Sequence, residues 1–185
     1  MSESIYVRTA VPEDADGIAR VHVETWQASY AGVLPDSYLV TMRRRDHARQ
    51  WHEVLSHAGQ RDVALVLEAR GETARPAVLG FASAGPARDP KLLYDAEVYT
   101  LYVGSDWQGQ GLGRLLLGTL FRTLFDRGME DAMLWVLAEN PTRFFYQHMG
   151  GQVIARRDEH LAGSAFPALA YGWPDLEAWL RQVGM

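Results

Sequence analysis

At 185 residues, 48% apolar and 22% charged, with a net charge of −5, the chain reads as one globular domain over residues 1–185, and neither disorder nor a basic nucleic-acid surface fits it. The absence of cysteine removes disulfides, thiolate metal ligands and cysteine nucleophiles. No apolar run approaches the roughly 20 residues that span a bilayer and no basic, apolar leader stands at the start, so a cytoplasmic protein is expected, with a mild electrostatic preference for cationic over anionic ligands.

Ile5-Tyr6-Val7-Arg8 reads as a short strand, and Pro12-Glu13-Asp14 opens a helix that Ile18, Val21, Val23, Trp26 and Tyr30 continue. Gly32 to Asp36 breaks it, and a second helix is expected from about Ser37 to about Ser56, with Leu39, Met42, Trp51 and Leu55 apolar and Arg43-Arg44-Arg45 on a solvated face. Val63 to Leu67 and Ala77 to Ala82 form an antiparallel hairpin across a turn at Gly71 to Pro76, and Gly85 to Lys91 is a loop. Val98 to Val103 is a strand. Leu112, Leu115, Leu116, Leu120, Phe121 and Leu124 then recur at helical spacing up to Gly128. Ala132 to Leu137 is a strand apolar throughout, Phe144-Phe145-Tyr146 lie on a short helix that stops at Gly150-Gly151, and Gln152 to Arg157 and Phe166 to Trp173 are two more strands. Strand, glycine turn, helix and strand make one βαβ crossover, so the strands ending at Val103 and Leu137 are parallel neighbours, and with the antiparallel hairpin before them the sheet is mixed.

The turn inside that crossover, Gln108-Gly109-Gln110-Gly111-Leu112-Gly113, is the chief chemical signal. A glycine-rich turn opening a helix offers unpaired N–H groups and the positive end of the helix dipole, a site for phosphate or pyrophosphate. A Walker A loop needs Gly-Lys-Ser/Thr, and Gly113 is followed by Arg114-Leu115. A dinucleotide fingerprint needs a third glycine at position 114 or 116, which are Arg and Leu, and an acid at the end of the next strand, whereas Glu130 and Asp131 precede it.

The remaining pattern, Gln-x-x-Gly-x-Gly after a strand ending in valine, resembles the acetyl-CoA pyrophosphate loop of the GNAT superfamily of N-acyltransferases. Glu97 to Val103 is similar to that family's fourth strand, Leu137 to Arg143 to the end of its fifth and the asparagine after it, and Phe144-Phe145-Tyr146-Gln147-His148-Met149-Gly150-Gly151 to its FYxxxGG helix. Arg8 to Leu39 is similar to the amino-terminal part of many small bacterial members, so the resemblance covers nearly the whole chain. One departure is Gln108, where many members carry arginine. The resemblance implies an α/β (α+β) GNAT fold, a mixed, mostly antiparallel twisted sheet of about seven strands flanked by helices, its fourth and fifth strands parallel and splayed.

It further implies an enzyme that moves the acetyl group of acetyl-CoA to a primary amine of a small molecule or peptide, directly in a ternary complex and without metal. The alternative is an acyl-CoA-binding sensor of the same fold that does no chemistry. The implied donor site is Leu101, Tyr102 and Val103 for the pantetheine, Gln108, Gly109, Gln110, Gly111, Leu112, Gly113 and Arg114 for the pyrophosphate, and Asn140 and Tyr146 from the other side. An alkyl amine with pKa near 10.4 must lose a proton before it attacks, and Glu97 is the candidate base, with a surface or salt-bridged carboxylate as the alternative. Tyr146 is the candidate acid for the leaving thiolate, or else an aromatic packed beside CoA. Trp26 and Tyr30, one helical turn apart, are either core or an aromatic wall for the acceptor. His22 and His148 have no partner at metal-ligand spacing and are not assigned the chemistry. The acceptor's identity and the oligomeric state stay open, a homodimer being compatible with the sequence.

Overall fold

The computed structural model describes residues 4–70 and 77–184, so the turn at Gly71 to Pro76 lies outside the described residues. Seven strands form one sheet: β1 Ser4–Thr9, β2 Val63–Arg70, β3 Ala77–Pro86, β4 Ala96–Val103, β5 Ala132–Leu137, β6 Gln152–Leu161 and β7 Ser164–Trp173. Their order is β1-β2-β3-β4-β5-β7-β6, and every neighbouring pair is antiparallel except β4–β5. The mixed, mostly antiparallel sheet and its parallel pair are those the sequence implies.

Helices cover both faces. A 3-10 turn at Pro12–Asp14 leads into α1 Ala15–Ser29, whose Ile18, Ala19 and Val21 pack with Trp51, Val66, Val78 and Phe81. Asp14 accepts from the Val11 amide at 2.8 Å and holds Arg8 in a bidentate pair at 2.7 and 2.8 Å, which ties the start of this helix to β1. On the opposite face lies α4 Leu112–Asp126. Its Leu116, Leu117, Leu120, Phe121 and Leu124 are wholly buried, the 3.6-residue period read in the sequence.

Two expectations change. The helix expected from about Ser37 to about Ser56 is two, α2 Asp36–Leu39 and α3 Arg44–Ser56. Val40 and Thr41 are β-branched, the Thr41 hydroxyl donates to the Tyr38 carbonyl at 2.6 Å, and Arg43 is extended (φ −100°, ψ 122°). The break also serves packing, because Leu39 and Met42 join the Tyr30 cluster while Trp51 and Leu55 join the Ile18 cluster. Arg43, Arg44 and Arg45 are exposed as expected, with Arg44 bridging to Asp16 of α1. Beyond the last expected strand there is a further helix, α6 Leu176–Val183, announced by Asp175, whose carboxylate accepts from the Ala178 amide at 2.7 Å, and closed by Gly184 at φ +73°. No described helix is long and apolar enough to cross a membrane.

The short helix α5 Arg143–His148 is held from behind. Trp173 and Trp179 both donate their indole N–H to the Met149 carbonyl, at 2.9 and 2.6 Å, and both rings meet Phe121 of α4 edge-on. The double glycine after α5 is needed here. Gly150 has φ +82°, and a Cβ on Gly151 would lie 2.7 Å from the Trp173 ring and 3.0 Å from the Tyr146 carbonyl.

Candidate active site

β4 and β5 are paired only at Ala96 with Ala132 and Glu97 with Met133, and diverge beyond. The cause is local. Ala84 faces Val98 and Ser83 faces Thr100, so Tyr99 is an extra residue on β4, and such a bulge bends and twists its strand away from its neighbour. The wedge between the strands opens into a cavity of about 950 Å³ that reaches both faces of the sheet. Trp26 and Tyr30 of α1 line one side, Phe145, Tyr146 and Met149 the other, and Leu101, Tyr102 and Val103 the β4 edge.

At the α4 end the glycine turn is built as an anion cradle. Gly109 (φ +73°) and Gly111 (φ +80°) are left-handed, and a Cβ on either would meet no atom, so backbone conformation and not space requires glycine there. The first helical bond runs from the Leu115 amide to the Gly111 carbonyl at 3.0 Å. The amides from Gly109 through Arg114 find no acceptor among the described residues, so consecutive N–H groups sit at the positive end of a 15-residue helix. The Gln108 side chain donates to the Val103 carbonyl at 2.9 Å and pins the turn to the end of β4. Gln108, Gly109, Gly111, Gly113 and Arg114 border the cavity; Gln110 and Leu112 do not, Gln110 reaching back to the Asp106 carbonyl and the Leu112 side chain entering the core.

Three phenols meet in the wedge. Tyr146 is buried, its hydroxyl bonds to no described residue, and burial, with Tyr102 and Tyr30 nearby, pushes its pKa well above the ordinary tyrosine value. It therefore stays protonated at neutral pH. Tyr102, raised by burial as well, accepts from the Trp26 indole at 2.9 Å. Asn140 is buried. Its amide donates to the Tyr30 hydroxyl at 2.9 Å and its carbonyl oxygen accepts from the Thr142 amide at 2.9 Å, which joins α1 to the start of α5. Asn140 thus lies on the cavity wall with its side chain already engaged by protein.

Glu97 is not brought to the cavity. It sits at the closed end of the wedge, 2% exposed, and takes the Arg88 amide at 3.0 Å and the Arg88 guanidinium Nε at 3.1 Å on Oε2. Sequence alone could not see Arg88, which arrives from the loop before β4. His22 is also outside the cavity lining. It is stacked on Tyr102 and 4.8 Å from His47 by ring centroids, and its Nδ1 accepts from the Trp51 indole at 3.2 Å. That bond leaves Nδ1 unprotonated, and burial, with the charge of His47, holds the ring's pKa down to about 4. His148 is exposed at the cavity rim.

Trp135, Arg157 and Glu159 also line the cavity, and the sequence reading did not single them out. The strand expected to stop at Arg157 runs on to Leu161.

The family model described as acetyltransferase (GNAT) family matches residues 22–151. The chain is 33% identical over 174 residues to the uncharacterized N-acetyltransferase YuaI of Bacillus subtilis (strain 168), covering 94% of this chain and 95% of that protein. It is 22% identical over 151 residues to the spermidine N(1)-acetyltransferase of Thermoplasma acidophilum, covering 80% of this chain and 88% of that one. Among solved structures, it superposes on the PaiA N-acetyltransferase of Thermoplasma acidophilum in complex with coenzyme A with a TM-score of 0.63, at 20% identity, over 92% of this chain and 99% of that one. A wedge between parallel strands, a free-amide turn at a helix start and a family match from α1 to the glycine pair after α5 agree, and the chain belongs to the GNAT family as an N-acetyltransferase.

Proposed function

We propose that residues 1–185 act as one domain, in the cytoplasm where acetyl-CoA is supplied, and transfer the acetyl group of acetyl-CoA directly to a primary amine. The observation that carries this reading is a single cavity with an amide cradle at one end and an aromatic, acid-bearing wall at the other. Two substrates can meet in it without a covalent enzyme intermediate. The free amides of the glycine turn suit a pyrophosphate, and the unpaired edge of β4 at Leu101 to Val103 suits the amide-rich pantetheine arm. Coenzyme A in the Thermoplasma structure and spermidine in the name of the Thermoplasma relative support a CoA thioester as donor and an amine as acceptor.

In this reading the amine nitrogen attacks the thioester carbonyl, the C–N bond forms and the C–S bond breaks. Tyr146 gives its proton to the departing sulfur and is reprotonated, through water, from the amine that has become an amide. Tyr146 is protonated at neutral pH, and its proton moves as the C–S bond breaks, so that neither a free thiolate nor a free tyrosinate has to accumulate. Trp26 and Tyr30 form the acceptor wall, and Asn140 orients Tyr30 rather than binding the donor directly. Glu97, neutralised by Arg88 away from the cavity, is a strut for the closed end of the wedge and not the base.

Thiol release from acetyl-CoA over a panel of amines tests the activity. Tyr146→Phe is expected to lower kcat by about 100–1000-fold while CoA affinity changes by less than about threefold. Unchanged turnover in that variant removes Tyr146 as the acid.

A further inference from the structure

The acceptor end of the cavity contains an ion pair that none of these roles uses. Arg157 and Glu159 stand two residues apart on β6, and the strand register sets Arg157 beside Ala168 of β7, which in turn pairs with Leu137 of β5. Trp135 pairs with Ala170 on the same side of β7, and both alanines are buried. Two small residues leave a trough across β7, and the Arg157 side chain crosses it. Its guanidinium carbon lies 4.0 Å from the Trp135 ring centroid, and its Nη2 and Nε lie 2.7 and 2.9 Å from Glu159 Oε2. All three residues line the cavity. The Trp135 indole N–H is buried with no acceptor among the described residues, and it is the ring face that meets the guanidinium.

We propose that the Trp135 face and the Glu159 carboxylate form a subsite for a cationic group of the acceptor substrate, and that Arg157 fills it as an internal stand-in which the substrate displaces. An aromatic face with a carboxylate beside it is the environment that selects a cation, and an anion would face Glu159. Arg157 can leave at small cost, because its side chain is 40% exposed and an exposed pair contributes little. The other nearby guanidinium, Arg88, is committed to Glu97.

The group held there is not the one acylated. A carboxylate and an aromatic face stabilise the protonated form, and an ammonium nitrogen has no lone pair with which to attack. The substrate class is therefore an amine that carries a second basic group on the same chain. This inference rests on the amine-transfer reading above.

The test compares alkyl diamines with the amino alcohols of the same length, which differ only in charge at the far end. With wild-type protein, the best diamine is expected to exceed its amino alcohol by about tenfold or more in kcat/KM, carried by KM. Glu159→Gln is expected to bring that ratio to within about twofold of one, and Arg157→Met, which keeps the apolar stem, to raise it about threefold by removing the competing occupant. A wild-type ratio near one, or a ratio preserved in Glu159→Gln, overturns the proposal. If no amine releases thiol although CoA binds, the amine-transfer reading is the one that fails. The subsite is then read by calorimetric titration of the same diamines into CoA-saturated protein: binding weakened at least about fivefold by Glu159→Gln supports it, and no binding overturns it.

Discussion

The two ends of the cavity are built from different materials. The donor end is backbone: a run of free amides from Gly109 to Arg114 and the bare edge of β4. The acceptor end is side chain: Trp26 and Tyr30 from α1, Trp135 from β5, Arg157 and Glu159 from β6. A backbone site is insensitive to most substitutions but intolerant of a change in φ/ψ. A side-chain site can be re-cut residue by residue. In the reading proposed above, the backbone end would hold the donor and the side-chain end the acceptor.

The largest effect separating the two ends is expected from Gly111→Val. A β-branched residue at φ +80° forces the turn to rearrange and misaligns several charge-assisted amide contacts, so CoA affinity measured by calorimetry should fall about a thousandfold in a protein whose circular dichroism is unchanged. Near-normal affinity in the folded variant would break the comparison, since the donor end would then not depend on backbone conformation.

Next in size is a pH effect on stability that arises outside the cavity, at His22 behind Tyr102. His22 titrates at about 4 in the folded chain against 6.5 as a free group, so between those values the unfolded state binds the extra proton. Stability is accordingly intact above about pH 6.5 and declines as pH falls towards 4, by an amount on the order of 3 kcal/mol. His47, lowered by its own burial, acts in the same direction. Urea midpoints measured from pH 7 to pH 4 should show the decline, and His22→Gln should flatten most of it. An equal slope in the variant would move the effect to other groups.

The smallest effect is expected from Glu97→Gln. Removing the charge opposite Arg88 should cost about 1–2 kcal/mol of stability, limited because the Arg88 side chain is 65% exposed. Its kcat should stay within about twofold of wild type. A hundredfold loss of kcat would return Glu97 to the chemistry.

The same contrast explains what was legible in the sequence. The glycine turn, the strand before it and the asparagine and aromatic helix after β5 are contiguous motifs, and a backbone site is written in consecutive residues because φ/ψ is set locally. The strand, the glycine turn and the helix start were therefore readable almost residue by residue. The acceptor end depends on which side chains the register brings together. Arg157 reaches Trp135 only because Ala168 and Ala170 lie between them on a strand that comes later in the chain than either. Glu97 shows the same limit from the other direction. It lies on β4 as read, and the loop arginine that holds its carboxylate is not adjacent to it in sequence. The split of the second helix at Thr41 was missed because apolar spacing continues through the break, while the packing partners on its two sides differ.

The bulge at Tyr99 has a mechanical consequence. With β4 and β5 joined at only two residue pairs, the sheet is two panels, β1–β4 and β5–β7, stitched at one end. The panels are braced elsewhere by α6 resting on α4. A molecule that fits the wedge would touch both panels along an edge where no strand pairing joins them, and so would act as a spacer for the sheet itself.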